Sequence, residues 1–559
     1  MSFRPAAALL RVSVAAAISA LAACAGGAPP PPADPAARLV AAGLEDVARY
    51  YIEPVSDRNL VLAAARGLSH LDRQVQVNET PAAQGELVLE YGMRQIALYP
   101  EPGAADADAW ARLAGRLVAE ARAASPVLAE ASEDKIDTAL LGGMTGALDR
   151  FSRYSPPAEA SEESAMRDGF GGVGLTVEED SGKFLVTEVM PQGPAGLAGV
   201  RPQDRIVGID GVPTAGKSQE AVVDALRGPV GRPVELAVHR PGLGRERDFR
   251  IKRRLIVVPT VTVARDGGIL IFRIASFNES TARIVAKTLR AAQHEGPPLS
   301  GVVLDLRSDP GGLLGQAVAL ADIFVGKGPI AGAIGRNPAS RQYFAAAGDA
   351  IAPKLPVVIL IDGNSASAAE IVASTLQDVG RAVVVGSASY GKGTVQTVLR
   401  LPNRGELILT WAFLITPSGY FLNLHGVVPT VCTSGLGAEG LQLALRRAMA
   451  PATASPLAAR PRALLDERGW AALRLSCPPR HGKHPIDLQV AKRLISDPAL
   501  YGEAVRLIAP APNLAATPRQ PGRPAAGPRL TPPERSLLSK PRQFRAQERA
   551  PWPSRTPYS

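Results

Sequence analysis

Residues 360–396 read LIDGNSASAAEIVASTLQDVGRAVVVGSASYGKGTVQ, running from Leu360 to Gln396. The apolar run over 356–362 predicts a buried strand. A tight turn, a short helix over 368–376 and a second strand over 382–385 follow, and a lysine then stands between Gly391 and Gly393. The turn delivers Ser367 to a helix N-terminus, where free backbone N–H groups and the positive end of the helix dipole stabilise an oxyanion. Lys392 arrives one strand later. A serine needs a base to become a nucleophile, and a desolvated lysine serves as one.

Three other patterns compete for the same residues. Ser367-Ala-Ala-Glu370 is also a capping box, in which hydroxyl and carboxylate satisfy orphan N–H groups. Gly386-Ser-Ala-Ser-Tyr-Gly391-Lys392 nearly spells a phosphate-binding P-loop after a strand. However, Gly393 sits where the magnesium-binding Ser or Thr belongs, and TVQTVLRL (394–401) reads as strand where a helix is required. Ser389-Tyr-Gly-Lys392 matches the S-x-x-K of penicillin-recognising enzymes, but the flanking glycines argue against a helix and no K-T-G follows.

Taken together, SASAAE, Gln377-Asp378, AVVVG and YGKGTVQ resemble the signature of the C-terminal processing peptidases, or tail-specific proteases. These are serine–lysine endopeptidases with an inserted PDZ domain. The resemblance runs from about residue 50 to about residue 430. It implies an α/β fold: a crotonase/ClpP-like catalytic core of mixed strands and helices, with an N-terminal helical region and an inserted β-rich PDZ domain. Residue by residue, it puts the nucleophile on Ser367 (not Ser365), the general base on Lys392 and the glutamine that orients it on Gln396. The backbone amides of Gly312 and Ala368 fall in the oxyanion hole, where one donor is worth roughly 3–4 kcal/mol of barrier. Read without the family, Asp309-Pro-Gly-Gly312 at the end of an apolar run is simply a turn.

The lysine faces a severe demand. It must be neutral to accept the Ser367 proton, so its pKa must fall well below the ordinary value of about 10.4. That requires burial and no close carboxylate partner. Gln396 suits the need, since it can hydrogen-bond an amine without supplying a charge. Glu370 is expected to act as a cap and Asp378 as a structural residue. The six histidines show no metal-ligand spacing, and no cofactor or metal is expected.

Toward the N-terminus, Arg4 and Arg11 precede VSVAAAISALAA (12–23), an apolar run too short to span a bilayer. Leu21-Ala-Ala-Cys24 resembles a bacterial lipobox with Cys24 as the lipidated residue; an ordinary secretory signal is the alternative. Either way the chain is expected to be exported, with residues 1–23 a signal peptide and 24–36 an Ala/Gly/Pro linker. Cys432 and Cys477 are then the remaining thiols, and an oxidising compartment would allow them to pair.

Residues 37–165 read as helical, with Leu and Ala at helical spacing. LAAARGLSHLDR (62–73) and ALLGGMTGALDR (139–150) echo each other and are ranked as core packing rather than chemistry. The second resembles a family segment that continues D-P-x-S-x-Y, with Arg150 in place of the proline and Ser152 and Tyr154 retained. Residues 166–255 resemble a PDZ domain, on GGVGL (171–175) and PAGLAGVRPQDRIVGIDG (194–211) with its helix-capping Gly199 and Asp210-Gly211 hairpin. The resemblance implies that Gly172, Val173, Gly174 and Leu175 hold a peptide C-terminus through backbone amides while the peptide adds a strand. Residues 256–432 alternate strand and helix as the catalytic domain, and 433–509 read as a helical C-terminal region. Residues 510–559 carry nine Lys/Arg against two Asp/Glu, and their proline-rich composition cannot bury a core. Much of the net charge of +10 therefore lies outside the folded units.

These readings imply an exported serine endopeptidase that catches substrate C-termini and cuts them through an acyl-enzyme. Its partners would be protein or peptide substrates with accessible C-termini, an adaptor lipoprotein, and a membrane reached through a lipid anchor, with no nucleic acid. The expected location is the cell envelope, in the periplasm and anchored to the outer membrane. Two alternatives stay open: a catalytically silent PDZ-containing envelope adaptor, and a P-loop NTPase.

Overall fold

In the computed structural model, residues 34–79, 85–243, 245–348, 350–449, 462 and 465–508 are described. The signal-like run 12–23, Cys24 and the tail 510–559 lie outside them. Among the described residues, no helix is long and apolar enough to cross a membrane.

At the centre stands a sheet ordered Val261–Asp266, Ile269–Ile274, Gly301–Asp305, Val357–Ile361, Val383–Gly386, Val431–Cys432. From the second strand onward the pairing is parallel. The strand sequences GVVLD, VVILI and VVVG are rich in β-branched residues and buried at every position, as strands covered on both faces must be. One face carries the helices Thr281–His294, Leu314–Asp322 and Ala368–Asp378, packed through Val285, Leu289, Leu320, Val372 and Leu376. The other carries Leu441–Ala448, Pro485–Ser496 and Pro498–Arg506, packed through Leu445, Val490, Leu494 and Ala504. The result is an α/β fold of three layers. The C-terminal ends of strands 301–305, 357–361 and 383–386 open onto one edge, where the connecting loops are free to carry chemistry.

A second sheet joins Gln342–Ala345, Pro329–Ile334, Glu406–Ile415 and Thr394–Arg400, with Arg153–Ser155 added along Glu406–Ile415. That last pairing carries the end of the second echo segment to the catalytic side of the molecule. The echo segments themselves bury Leu62, Ala64, Leu68, Leu140, Leu141 and Met144 in one cluster. The N-terminal region also holds a three-stranded antiparallel sheet, Val75–Glu79, Glu86–Tyr91 and Arg94–Pro100, which the helical reading passed over. Its cause is local: VQVNE alternates apolar and polar residues, with Val75 and Val77 inward.

Between these parts, a β-rich unit is built on the strands Leu175–Asp180, Lys183–Val189, Arg205–Ile209, Pro233–His239 and Glu246–Lys252 around its own core of Phe184, Val186, Ile206, Val234 and Leu236. Asp210 and Gly211 both take positive φ in the hairpin after Ile209, at 48° and 76°. Gly199 closes the helix Pro194–Ala198 in the left-handed conformation.

Candidate active site

The strand Val357–Ile361 ends in a turn locked by side chains. Asp362 accepts the Ser308 N–H at 2.9 Å and the Asn364 N–H at 3.0 Å. The buried Ser365 hydroxyl accepts the Asp362 N–H and donates to the Leu306 carbonyl at 2.8 Å, so Ser365 holds the turn and is not displayed. Ser367 follows at φ 53°, ψ −114°, a conformation that costs a serine about 1–3 kcal/mol and persists only where the surroundings impose it. The helix Ala368–Asp378 starts at once, and every one of its residues is buried.

Glu370 does more than cap that helix. It is fully buried, and its carboxylate accepts the Ser367 N–H at 2.8 Å, the Lys392 N–H at 2.9 Å, the Gly391 N–H at 2.7 Å and the Ser389 hydroxyl. The Ser389 oxygen in turn accepts the Val427 N–H at 2.7 Å. Burial pushes the Glu370 pKa up, and the four donors oppose the shift. Since every group facing the carboxylate donates, only the acceptor-only ionised form matches them all. One residue therefore ties the serine turn to the lysine loop.

The lysine loop leaves the strand Val383–Gly386 without regular structure and returns as the strand Thr394–Arg400. A P-loop would need a helix after the lysine, so the strand removes that alternative. A Cβ added at Gly393 would lie 1.8 Å from the Asn423 backbone nitrogen, so only glycine fits beside the lysine. Lys392 is half-buried, and burial, followed by the Arg153 charge, lowers its pKa; Arg150 adds to the shift, while Asp149 and Glu370 oppose it. Its amine stands 5.1 Å from the centre of the Phe151 ring, which also holds the Arg150 guanidinium at 4.6 Å. Arg150 reaches the Tyr390 ring as well, at 5.7 Å.

The structure places Ser367 and Lys392 on neighbouring loops, though no hydrogen bond joins hydroxyl to amine. Gln396 differs from expectation: its amide donates to Thr394 Oγ1 at 2.8 Å and Thr410 Oγ1 at 3.3 Å, not to Lys392. The cause is register, since Gln396 lies opposite Thr410 across the strand pair. Thr410 then donates to Asp149 at 3.1 Å, and Asp149 also accepts the Phe151 and Ser152 N–H groups. The loop over the lysine is thus fastened to the strand behind it. Asp149 and Arg150, which close the echo segment ranked with core packing, and the following Phe151 thus stand beside the lysine loop.

Gly312 and Ala368 converge through the segment 309–313. Phe277 donates to the Gly311 carbonyl at 2.9 Å and accepts the Leu313 N–H at 2.9 Å, so this bridge leaves the intervening Gly312 N–H unused. Gly312 has φ 146°, and an added Cβ there would fall 2.1 Å from the Phe277 carbonyl. Ala368 is the first residue of its helix, where the backbone N–H has no intrahelical acceptor. The two chain segments touch: a Cβ built on Gly311 would lie 2.9 Å from the Ala368 nitrogen. Asp309 supports them, accepting the Gly311 N–H on its carboxyl and the Ala366 N–H on its carbonyl, and burial pushes its pKa well up.

In the β-rich unit, Gly172, Val173, Gly174 and Leu175 line one pocket with Phe170 and Leu226. The Val173 and Gly174 carbonyls are taken by the Ala195 and Met190 N–H groups, at 2.8 Å and 3.0 Å. Cys432 and Cys477 form a disulfide.

Known proteins supply the family. Residues 268–433 match peptidase family S41, and residues 185–240 match the PDZ domain. The chain is 37% identical over 305 residues to a carboxy-terminal-processing protease of Bartonella bacilliformis, covering 54% of this chain and 70% of that one. It is 32% identical to the carboxy-terminal processing protease CtpA of Bacillus subtilis, over 54% of this chain and 64% of the other. A solved photosystem II D1 C-terminal processing protease aligns at 30% identity over 53% of this chain and 80% of its own, with a TM-score of 0.30. With a serine at a strained helix entry, a half-buried lysine on the adjoining loop and that degree of relatedness, the chain belongs to the carboxy-terminal processing proteases of peptidase family S41, serine-type peptidases that carry a peptide-binding PDZ domain.

Proposed function

We propose that the protein is an exported endopeptidase in which Ser367 is the nucleophile and Lys392 its general base. The observation that carries this reading is the Glu370 carboxylate, which accepts the backbone N–H groups of both residues and so fixes their loops against each other. Ser367 Oγ attacks the scissile carbonyl carbon and its proton passes to the neutral Lys392 amine. The Gly312 and Ala368 N–H groups meet the resulting oxyanion. Lys392 then returns the proton to the leaving amine, and water releases the acyl chain by the same route. The missing hydroxyl–amine hydrogen bond does not oppose the reading, because such bonds often tighten only when substrate is bound. Gln396 reaches the lysine indirectly, through Thr410 and Asp149.

The PDZ pocket at Gly172, Val173, Gly174 and Leu175 catches a substrate's free C-terminus. Substrates are envelope proteins or peptides, delivered in part by an adaptor lipoprotein, and Cys24 carries the lipid that anchors the enzyme in the periplasm at the outer membrane. The full-length protein should cleave casein without ATP. Ser367→Ala and Lys392→Ala should each abolish cleavage with folding intact, and the double variant should be no worse, because the pair acts as a unit. Ser365→Ala should lose stability and keep cleavage. Turnover in either single variant would overturn the assignment, leaving the silent adaptor as the reading.

A further inference from the structure

Residues 474–481 lie beyond the 268–433 span that matches the peptidase family, yet they reach two loops of the active site directly and the strand end before the Gly312 loop through Asp487 and Arg307. On the lysine loop, Arg474 donates to the Ser389 carbonyl at 2.9 Å, Ala388 donates to the Cys477 carbonyl at 3.3 Å, and Arg480 N–H donates to the Ser387 hydroxyl at 3.0 Å. On the serine turn, the Gly363 N–H donates to the Arg480 carbonyl at 2.8 Å, and His481 Nδ1 meets Asn364 Oδ1 at 2.8 Å. Toward the Gly312 loop, the Arg480 guanidinium pairs with the buried Asp487 at 2.7 Å. Asp487 also pairs at 3.1 Å with Arg307, which in turn binds Asp305 at 2.7 Å.

The segment is held at both ends. The Cys432–Cys477 disulfide bonds it to the edge strand Val431–Cys432 of the central sheet. Ahead of the bridge, Trp470, Leu473 and Cys477 bury against Ala388, Tyr420 and Val428, and Trp470 stacks on His425 at 4.6 Å. Arg474 closes the same corner by donating to the His425 carbonyl at 2.6 Å. The loop that presents Lys392 has no ladder hydrogen bonds of its own between Gly386 and Thr394. Backbone bonds to Ser365, Leu414, Leu424 and Val427 hold it together with Glu370, and this segment fastens it from the side.

We propose that residues 474–481 form a positioning strap for the Ser367–Lys392 pair, and that the strap holds its place only while the Cys432–Cys477 bridge is closed. The proposal rests on the dyad reading given above. Arg474, Cys477 and Arg480 are positioning residues in it, since none touches substrate. Displacing a reacting group by an ångström costs on the order of 10²-fold in rate. Opening the bridge should thus slow chemistry while leaving the PDZ pocket, whose lining shares no residue with the strap, unaffected.

The test uses the full-length enzyme as wild type, Cys432→Ser/Cys477→Ser, Arg474→Gln and Arg474→Lys. Four quantities are measured: the labelling rate by a fluorescent fluorophosphonate, kcat and KM on a short chromogenic peptide, binding of a fluorescent peptide with a free C-terminus, and thermal melting. The double-serine and Arg474→Gln variants should lose roughly 10- to 100-fold in kcat and labelling rate, with KM and peptide binding unchanged and melting still cooperative. Arg474→Lys, which keeps a donor, should recover part of the loss. Unchanged kcat and labelling in both variants would overturn the strap, as would a loss of kcat that only accompanies loss of peptide binding and of cooperative melting. If the double-serine variant does not fold, Arg474→Gln with the bridge intact decides the matter. Labelling of wild type that survives Ser367→Ala would instead remove the dyad reading itself, whereas Ser367-dependent labelling that ignores the strap removes the strap alone.

Discussion

Glu370 and Lys392 meet through the backbone and not through an ion pair: the carboxylate accepts the Lys392 N–H at 2.9 Å, and its charge reaches the amine only across space. The carboxylate favours the ammonium form, but burial and the Arg153 charge outweigh it, so the net shift of the base is downward. Glu370→Gln tests the arrangement. In either orientation, the amide would turn a donor toward two groups that also donate. Each unsatisfied buried N–H costs about 1–3 kcal/mol, so the variant should lose about 2–4 kcal/mol of stability in denaturant unfolding. Its kcat should fall on the order of 10²-fold as the loops separate. A stable, fully active Glu370→Gln would show that the four donors do not depend on the charge.

The pH dependence follows from the lowered pKa of Lys392, whose largest cause is burial and whose second is Arg153. The amine works as a base only when neutral, so kcat/KM should rise with pH, with its midpoint below the ordinary lysine range. Arg150→Gln and Arg153→Gln each remove a cation that disfavours the ammonium form, and each should move the midpoint to higher pH. For stability the sign is the same. The folded state binds fewer protons than the unfolded chain between the two pKa values, so stability should climb with pH across that window. A rate profile unmoved by both substitutions would show that these arginines do not tune the base.

Carboxylate capture by Gly172, Val173, Gly174 and Leu175 predicts a preference for free C-termini. Amidation removes the charge, and hydrogen bonds to charged groups are worth about 1.5–3 kcal/mol. Cleavage of an amidated peptide should therefore be roughly 10- to 100-fold slower in kcat/KM than that of its free counterpart. Equal rates would leave the PDZ domain as a spacer or lid.

Anchoring makes a separate prediction for Cys24, which lies outside the described residues. Wild-type protein expressed in a diderm host should incorporate labelled fatty acid and sediment with membranes, and Cys24→Ser should do neither. A cleaved wild type that stays soluble would return residues 1–23 to an ordinary secretory signal.

The sequence shows most clearly what is local in the chain. Strand, turn and helix over 357–378 are legible because apolar runs, a glycine and a capping pair fall within one short stretch. The hairpin at Asp210-Gly211 is legible for the same reason. What escaped depends on long-range pairing. Phe151 and Arg150 stand over Lys392 because Arg153–Ser155 pairs with Glu406–Ile415, and no spacing in the sequence announces that register. Glu370 reads as a cap until Ser389, Gly391 and Lys392 are folded onto it. Gln396 is drawn from the lysine to Thr410 by a strand register that only the folded sheet reveals. The strands over 75–100 are a different case, for their alternation was present in the sequence.

One bond over the active site also governs when the enzyme is born. The Thr410 N–H donates to the Ser152 hydroxyl at 3.0 Å across 258 residues of sequence, and together with the Thr410–Asp149 bond it anchors the loop beside Lys392. The ribosome makes about 5–20 residues per second, and domains fold as their parts emerge. The PDZ unit can close its own core early, whereas the N-terminal core takes in Leu401, Leu407 and Leu409 and waits, like the site, for the late strand. A protease whose site closes across both ends of its chain is unarmed until that late strand arrives.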